Sequence, residues 1–179
     1  MDAFEDLVAR ILERDGYWVI QNYKVELSKA EKRQLGTPSM PRPDVDILAY
    51  SAAANTIYWI ECKSYLDSTG VMAVSFTKDG IWSSHYKLFN NDPYRKIATR
   101  RLLSQLRNSG QVAPRPKIRY WLIAGHFAGE SQKIIQTQFR RRGWILSGPD
   151  WIRLQLEGMA DDHYTNDIVT MAMKIYKST

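Results

Sequence analysis

Asp46, Glu61 and Lys63 bring two carboxylates and an ammonium group to two neighbouring apolar runs, residues 45–50 and 56–62. The small-residue connection between the runs, residues 51–55, is short enough for an antiparallel hairpin. If Tyr50 pairs with Ile57, the positions farther from the turn include Asp46 opposite Glu61. Side chains two apart on a strand share a face, so Glu61 and Lys63 project together, roughly 6–7 Å apart along the backbone, while Cys62 points away. Leu48, Tyr50, Ile57 and Trp59 complete that face, and Val45, Ile47, Ala49, Tyr58, Ile60 and Cys62 make the other. Two apolar faces predict central, covered strands, where ionised groups are costly unless paired, hydrogen-bonded or bound to metal.

A lone E-x-K is most simply a salt bridge at a solvated strand end. Asp46 changes that reading, because adjacent carboxylates repel unless a cation lies between them. Hard oxygen ligands suit Mg²⁺ or Mn²⁺ better than Zn²⁺. A lysine beside such an ion can orient or deprotonate a water, or neutralise charge building on phosphate oxygens, as metal-assisted phosphodiester hydrolysis requires. Glu5 is a fourth candidate, placed at the margin of a helical apolar face whose outward positions are Asp6, Arg10 and Glu13. Taken alone it is an acid favoured by the macrodipole of a first helical turn. Asp44 shares a face with Asp46, so alternation does not separate the two.

The elements that must position these groups follow from periodicity. Phe4, Leu7, Val8, Ile11 and Leu12 predict a helix over residues 2–15, stopped at Gly16. Residues 17–25 read as a strand, and Ser28 with Glu31 forms a capping box for a short basic helix ending before Gly36. Three prolines make residues 37–43 a loop. Residues 64–91 mix glycines, polar groups and short apolar runs and are left open. Pro93 starts a helix with Ala98, Leu102, Leu103 and Leu106 on its apolar face. A buried strand over 118–124, a helix over 130–142, a short strand over 144–146 and helices over 150–159 and 164–176 complete the chain. The order predicts an α/β fold, a central mixed sheet with helices on both faces. The 179 residues make one domain, with a basic insertion at 26–43 and a C-terminal helical extension at 148–179.

Twenty-five Lys and Arg against 19 Asp and Glu give a charge of +6, which favours polyanionic partners without choosing among DNA, RNA and acidic membranes. One cysteine excludes an internal disulfide, no stretch of about 20 apolar residues spans a bilayer, and the acidic start is unlike a secretory signal. A cytoplasmic location, with no membrane association, is therefore expected.

Pro43-Asp44-Val45-Asp46-Ile47-Leu48-Ala49-Tyr50 followed by Ile60-Glu61-Cys62-Lys63 resembles the D…E-x-K signature of the PD-(D/E)XK nuclease superfamily. Phe4-Glu5-Asp6-Leu7-Val8, the run from Ile11 to Tyr17 and the next strand resemble the opening of its Holliday-junction-resolvase-like and Mrr-type restriction endonuclease branches. The resemblance covers about the first 63 residues, and the rest only by order of elements. It implies a restriction-endonuclease-like core in αβββαβ order and a Mg²⁺- or Mn²⁺-dependent DNA endonuclease. Asp46, Glu61 and Glu5 become metal ligands, with Glu5 an additional ligand or water-orienting acid, and Lys63 polarises the attacking water. Pairing register and the family's habit of placing the acid directly before the apolar run favour Asp46 over Asp44. The insertion at 26–43, which compact resolvases lack, leaves the DNA structure recognised open. A noncatalytic nucleic-acid-binding or assembly subunit and an RNA-directed nuclease are the alternative readings. Many relatives pair to cut both strands, so a homodimer is compatible, although nothing in the chain marks an interface.

For the binding surface, Lys29, Lys32, Arg33 and Arg42 of the insertion are the preferred contacts with duplex or branched DNA. Lys96, Arg100 and Arg107 form a stripe on the Pro93 helix suited either to phosphates or to solvent. Residues 140–142, three arginines, are explained by the C-terminal dipole of their helix, and Gln105 by an ordinary surface position. The six tryptophans lie in or next to apolar segments, and core packing explains them better than base stacking. Histidines 85, 126 and 163 have no mutual metal spacing, and no Gly-rich phosphate loop calls for a nucleotide cofactor.

Overall fold

The computed structural model describes residues 2–77, 80–163 and 166–178. Helix α1 (Ala3–Arg14) begins on Asp2, whose carboxylate accepts the Phe4 backbone N–H at 2.8 Å, and its face of Phe4, Val8, Ile11 and Leu12 is buried. Gly16, in the left-handed region at φ 85°, turns the chain into β1 (Trp18–Lys24). Next come α2 (Lys29–Gln34), β2 (Asp44–Ser51), β3 (Thr56–Lys63), α3 (Lys87–Asn90), α4 (Asp92–Asn108) and β4 (Lys117–Ala124). The chain closes with α5 (Ser131–Arg142), β5 (Ile145–Ser147), α6 (Pro149–Met159) and α7 (Ile168–Lys177). The start expected for the last helix, Tyr164, lies outside the described residues. The observed helix begins on Asp167, whose side chain accepts the Thr170 N–H at 2.7 Å.

The five strands form one mixed sheet in the order β1-β2-β3-β4-β5. β1, β2 and β3 are antiparallel neighbours, and β4 and β5 run parallel to β3. Helix α1 and α6 residues cover one face, where Val8, Ile11, Leu12 and Ile152 pack with Ile47, Ala49, Ile60 and Cys62. The other face packs Leu48, Ile57, Trp59 and Leu122 against Ala98 and Leu102 of α4 and Ile135 and Phe139 of α5. β2 and β3 are thus covered on both sides, as their two apolar faces require. No helix among the described residues is long and apolar enough to cross a membrane.

Three expectations are corrected. Val45 packs with Leu48 and Trp59 rather than with Ile47. Between the pairs Gln21↔Ile47 and Tyr23↔Val45 stands Asn22 in the left-handed region at φ 53°, and simple alternation fails at that point of the ladder. Trp18 and Trp82 are 72% and 57% exposed instead of buried. Trp18 sits on the edge strand, and Trp82 has a left-handed backbone.

Glu31 ties the insertion to α4. Glu31 accepts the Ser28 N–H at 2.8 Å while the Ser28 hydroxyl accepts the Glu31 N–H at 3.2 Å, closing the expected capping box. Arg101 of α4 donates to the same Glu31 oxygen through two nitrogens, at 3.1 and 2.7 Å. These Arg101 bonds, joined by those to Ser28 and opposed by burial, hold the Glu31 carboxyl down to about 2. Its ionised form therefore adds stability that is complete above about pH 4.5 and lost as pH falls towards 2. Glu31→Ala is expected to cost about 1–2 kcal/mol in denaturant unfolding near neutral pH, the worth of a cap plus a charge-assisted hydrogen bond. An unchanged midpoint would show that the segment is not anchored there.

Candidate active site

β2 and β3 pair with Tyr50 opposite Ile57, Leu48 opposite Trp59 and Ile47 opposite Ile60, the register expected from the sequence. The next step would place Asp46 opposite Glu61. There the ladder gives way to a side chain, and Asp46 Oδ2 accepts the Cys62 backbone N–H at 2.8 Å. The Asp46 carboxylate is thereby fixed on the β3 backbone between Glu61 and Lys63. Lys63 Nζ donates to Glu61 Oε1 at 2.6 Å, and the two side chains are only 19% and 15% exposed. Cys62 is buried on the α1 face, out of reach as a nucleophile.

Asp44 and Asp46 both line the cleft at this end of the sheet, in different settings. Asp44 is exposed and paired with Lys24, whereas Asp46 is half-buried and lies within the electrostatic reach of Lys63. Glu5, from the first turn of α1, joins from the other layer. Its carboxyl is raised to about 7, first by burial and then by the negative charge of Asp46. Glu61 also rises to about 7, chiefly by burial, with Lys63 opposing and Asp46 adding to the rise. Asp46 is raised by burial against the pull of Lys63 and of the Cys62 N–H. Burial alone would lower Lys63, but the charges of Glu61 and Asp46 outweigh it and leave the ammonium more firmly protonated than usual.

The cleft is lined further by Trp59, Ser84, His85, Lys87, Leu88 and Tyr94. Trp59 belongs to the hairpin face read from the sequence, but no spacing ties the others to Asp46, because they arrive from the segment left open and from the first turn of α4. Tyr94 is buried and its hydroxyl is raised by burial and then by Glu61, Asp44 and Asp46. Trp59 is 1% exposed and its indole N–H has no hydrogen-bond partner among the described residues. A buried donor left unpaired costs about 1–3 kcal/mol.

Among the described residues no group of three or more His, Cys, Asp or Glu side chains is arranged to hold a metal ion. The expected ligands Glu5, Asp46 and Glu61 are gathered electrostatically, yet Asp46 faces an amide and Glu61 an ammonium. The donor chemistry nonetheless fits a hard divalent cation. Three carboxylates share one ammonium; burial is the first cause of each acid's raised proton affinity, and at Glu5 and Glu61 the charge of Asp46 adds to it. Because the folded-state values of Glu5 and Glu61 lie above the ordinary 4.5, their contribution to stability is full below about pH 4.5 and declines as pH rises to about 7. With chelator present, the melting temperature is expected to fall between about pH 5 and pH 8 on this account. Mg²⁺ or Mn²⁺ is expected to raise it by about 5 °C at the higher pH and by little at the lower. Equal shifts at both pH values would contradict a carboxylate cation site.

The cations expected to meet DNA divide into two groups. Lys29, Arg33, Lys96, Arg100 and Arg107 are exposed. Lys32 instead donates to the Met40 carbonyl at 2.7 Å, and Arg42 pairs with Glu26 at 2.6 Å. Gln105 accepts the Glu26 N–H at 2.8 Å, a structural tie between α4 and the chain leaving β1. Arg142 lies over the Trp144 ring at 4.8 Å, which supports packing rather than a free phosphate contact.

No protein-family model matches the chain, and no curated protein matches it. Among solved structures it is similar to the crystal structure of AF1548, a protein of unknown function, at 15% identity and a TM-score of 0.46, over 96% of this chain and 76% of that one.

Proposed function

We propose that this chain is a metal-dependent DNA endonuclease with a restriction-endonuclease-like core. The observation that carries the reading is that Asp46 and Glu61 line one cleft at the end of the sheet, with Lys63 hydrogen-bonded to Glu61 and Glu5 within electrostatic reach of Asp46 and Lys63. The order α1, β1, β2, β3, α4, β4 supports the core, with α2 as an addition between β1 and β2.

Asp46 and Glu61 would hold Mg²⁺ or Mn²⁺, with Glu5 beside them. The ion, when bound, supplies positive charge to the scissile phosphate and acidifies a water molecule. Lys63 remains an ammonium throughout, which suits it to donate a hydrogen bond to the attacking water or a phosphate oxygen rather than to accept a proton. Glu5, titrating near 7, is matched to orient that water and take its proton. Lys29, Arg33 and the α4 stripe of Lys96, Arg100 and Arg107 are the exposed cations available to DNA phosphates.

The test is a panel of supercoiled plasmid, four-way junction and single-stranded DNA, each with EDTA, Mg²⁺ or Mn²⁺. Divalent-dependent cleavage of at least one DNA form is expected. Tight DNA binding with no hydrolysis under any condition would overturn the enzyme and leave a binding subunit.

A further inference from the structure

The carboxylate cleft is the middle of three hollows that share walls. His85 lines both the carboxylate cleft and a hollow walled by Tyr65, Gly70, Trp82 and Tyr86. Lys87 and Tyr94 line both the cleft and a third hollow under the 35–41 loop of the insertion. A single strand crossing the cleft would therefore meet an aromatic wall on one side and, on the other, Lys87 with the uncharged 35–41 loop of the insertion.

Trp82 stands out on that aromatic wall. Its backbone is left-handed, φ 62° and ψ 13°, a conformation costing roughly 1–2 kcal/mol for a residue with a side chain. Yet the ring is 57% exposed, so burying it does not repay the strain. The backbone around it is held fast. The Asn90 amide donates to the Ser75 and Ser83 carbonyls at 2.7 and 3.0 Å, and the His85 N–H donates to the Trp82 carbonyl at 2.9 Å. At Gly80 a Cβ would lie 1.7 Å from the Val74 carbonyl oxygen, so the chain passes there with no room for a side chain. A rigid turn thus presents its largest side chain to solvent, with the His85 ring packed against it at 5.2 Å between centroids.

We infer that Trp82, backed by His85, is a stacking subsite for an unpaired nucleobase of a DNA strand whose phosphate lies in the carboxylate cleft. This deepens the nuclease reading and rests on it. A base inside a continuous duplex is covered on both faces, so the subsite selects DNA with an unpaired nucleotide beside the cleavage position: a single strand, a fork or a branch. Base–aromatic stacking of this kind is worth about 1–3 kcal/mol per base and tolerates any sequence.

The experiment measures equilibrium binding by the full chain, in EDTA, of three fluorescent DNAs: a single strand, a forked duplex and a blunt duplex. The single strand also carries 2-aminopurine as a stacking reporter. Trp82→Ala is expected to bind the single strand and the fork about 10-fold more weakly and the blunt duplex within about twofold, while Trp82→Phe retains most of the affinity. The wild type is expected to quench 2-aminopurine, and Trp82→Ala is not. Affinities of Trp82→Ala within about twofold of wild type on all three DNAs, or an equal loss on the blunt duplex, overturn the subsite. Parallel cleavage assays in Mg²⁺ separate the two readings. Selective loss of fork binding without any cleavage by the wild type keeps the subsite and removes the nuclease. Cleavage whose substrate preference Trp82→Ala leaves unchanged does the reverse, and a wild type that binds none of the DNAs removes both.

Discussion

Lys63→Ala protein is expected to fold as the wild type does and to lose about 10³-fold of the Mg²⁺-dependent cleavage, the scale of removing one pre-aimed donor from a developing charge. The side chain lies at the end of β3, where the strand's own backbone continues the structure: the Lys63 carbonyl accepts the Gly125 N–H at 2.9 Å whatever the side chain. Removing the ammonium deprives Glu61 of its 2.6 Å partner and leaves it beside Asp46. The acids then stay protonated to still higher pH than about 7, so the metal-free variant is expected to match the wild type near pH 5 and to melt lower near pH 8. Single-turnover cleavage at saturating Mg²⁺ checks the kinetic claim. Wild-type rates from this variant would remove Lys63 from the chemistry.

Asp46→Asn makes the opposite combination of gains and losses. An asparagine oxygen can still accept the Cys62 N–H now bound by Oδ2 at 2.8 Å, so the local fold is kept while one negative charge disappears from the cluster. The Glu5 and Glu61 carboxyls are raised first by burial and further by repulsion from the Asp46 charge. Relieving it is expected to raise the melting temperature in EDTA near pH 8 by a few degrees, about 1 kcal/mol. Cleavage is expected to fall by at least about 10³-fold, and added Mg²⁺ is expected to leave the melting temperature unchanged. Destabilisation with cleavage intact would mean that Asp46 is a structural acceptor for Cys62 and nothing more.

The hairpin that carries the site was legible because two apolar runs of matched length flank a short connection. That pattern gives the Tyr50↔Ile57 register and with it the approach of Asp46 to Glu61. Helix α1 and the Ser28–Glu31 capping box were legible for similar local reasons, a 3.6-residue period and a pair of side chains three apart. The rest depends on partners distant in sequence. The described residues of 64–91 form two 3₁₀ turns and α3, with ties such as Asn90 to Ser75 that no periodicity records. For that reason His85, Lys87 and Tyr94 were missed as cleft residues. Composition also says that Lys32 and Arg42 are cations but not that a carbonyl and Glu26 already engage them. Hydrophobicity likewise places Trp18 and Trp82 near apolar segments without telling that an edge strand and a left-handed turn would expose them.

The most direct test is Mn²⁺ binding followed by electron paramagnetic resonance, comparing the wild type with Asp46→Asn at a pH above the titration of Glu5 and Glu61. The account predicts that the wild type takes up Mn²⁺ and that Asp46→Asn loses at least about 10-fold of that affinity. Mn²⁺ uptake that is absent from the wild type, or unchanged by the substitution, would contradict it.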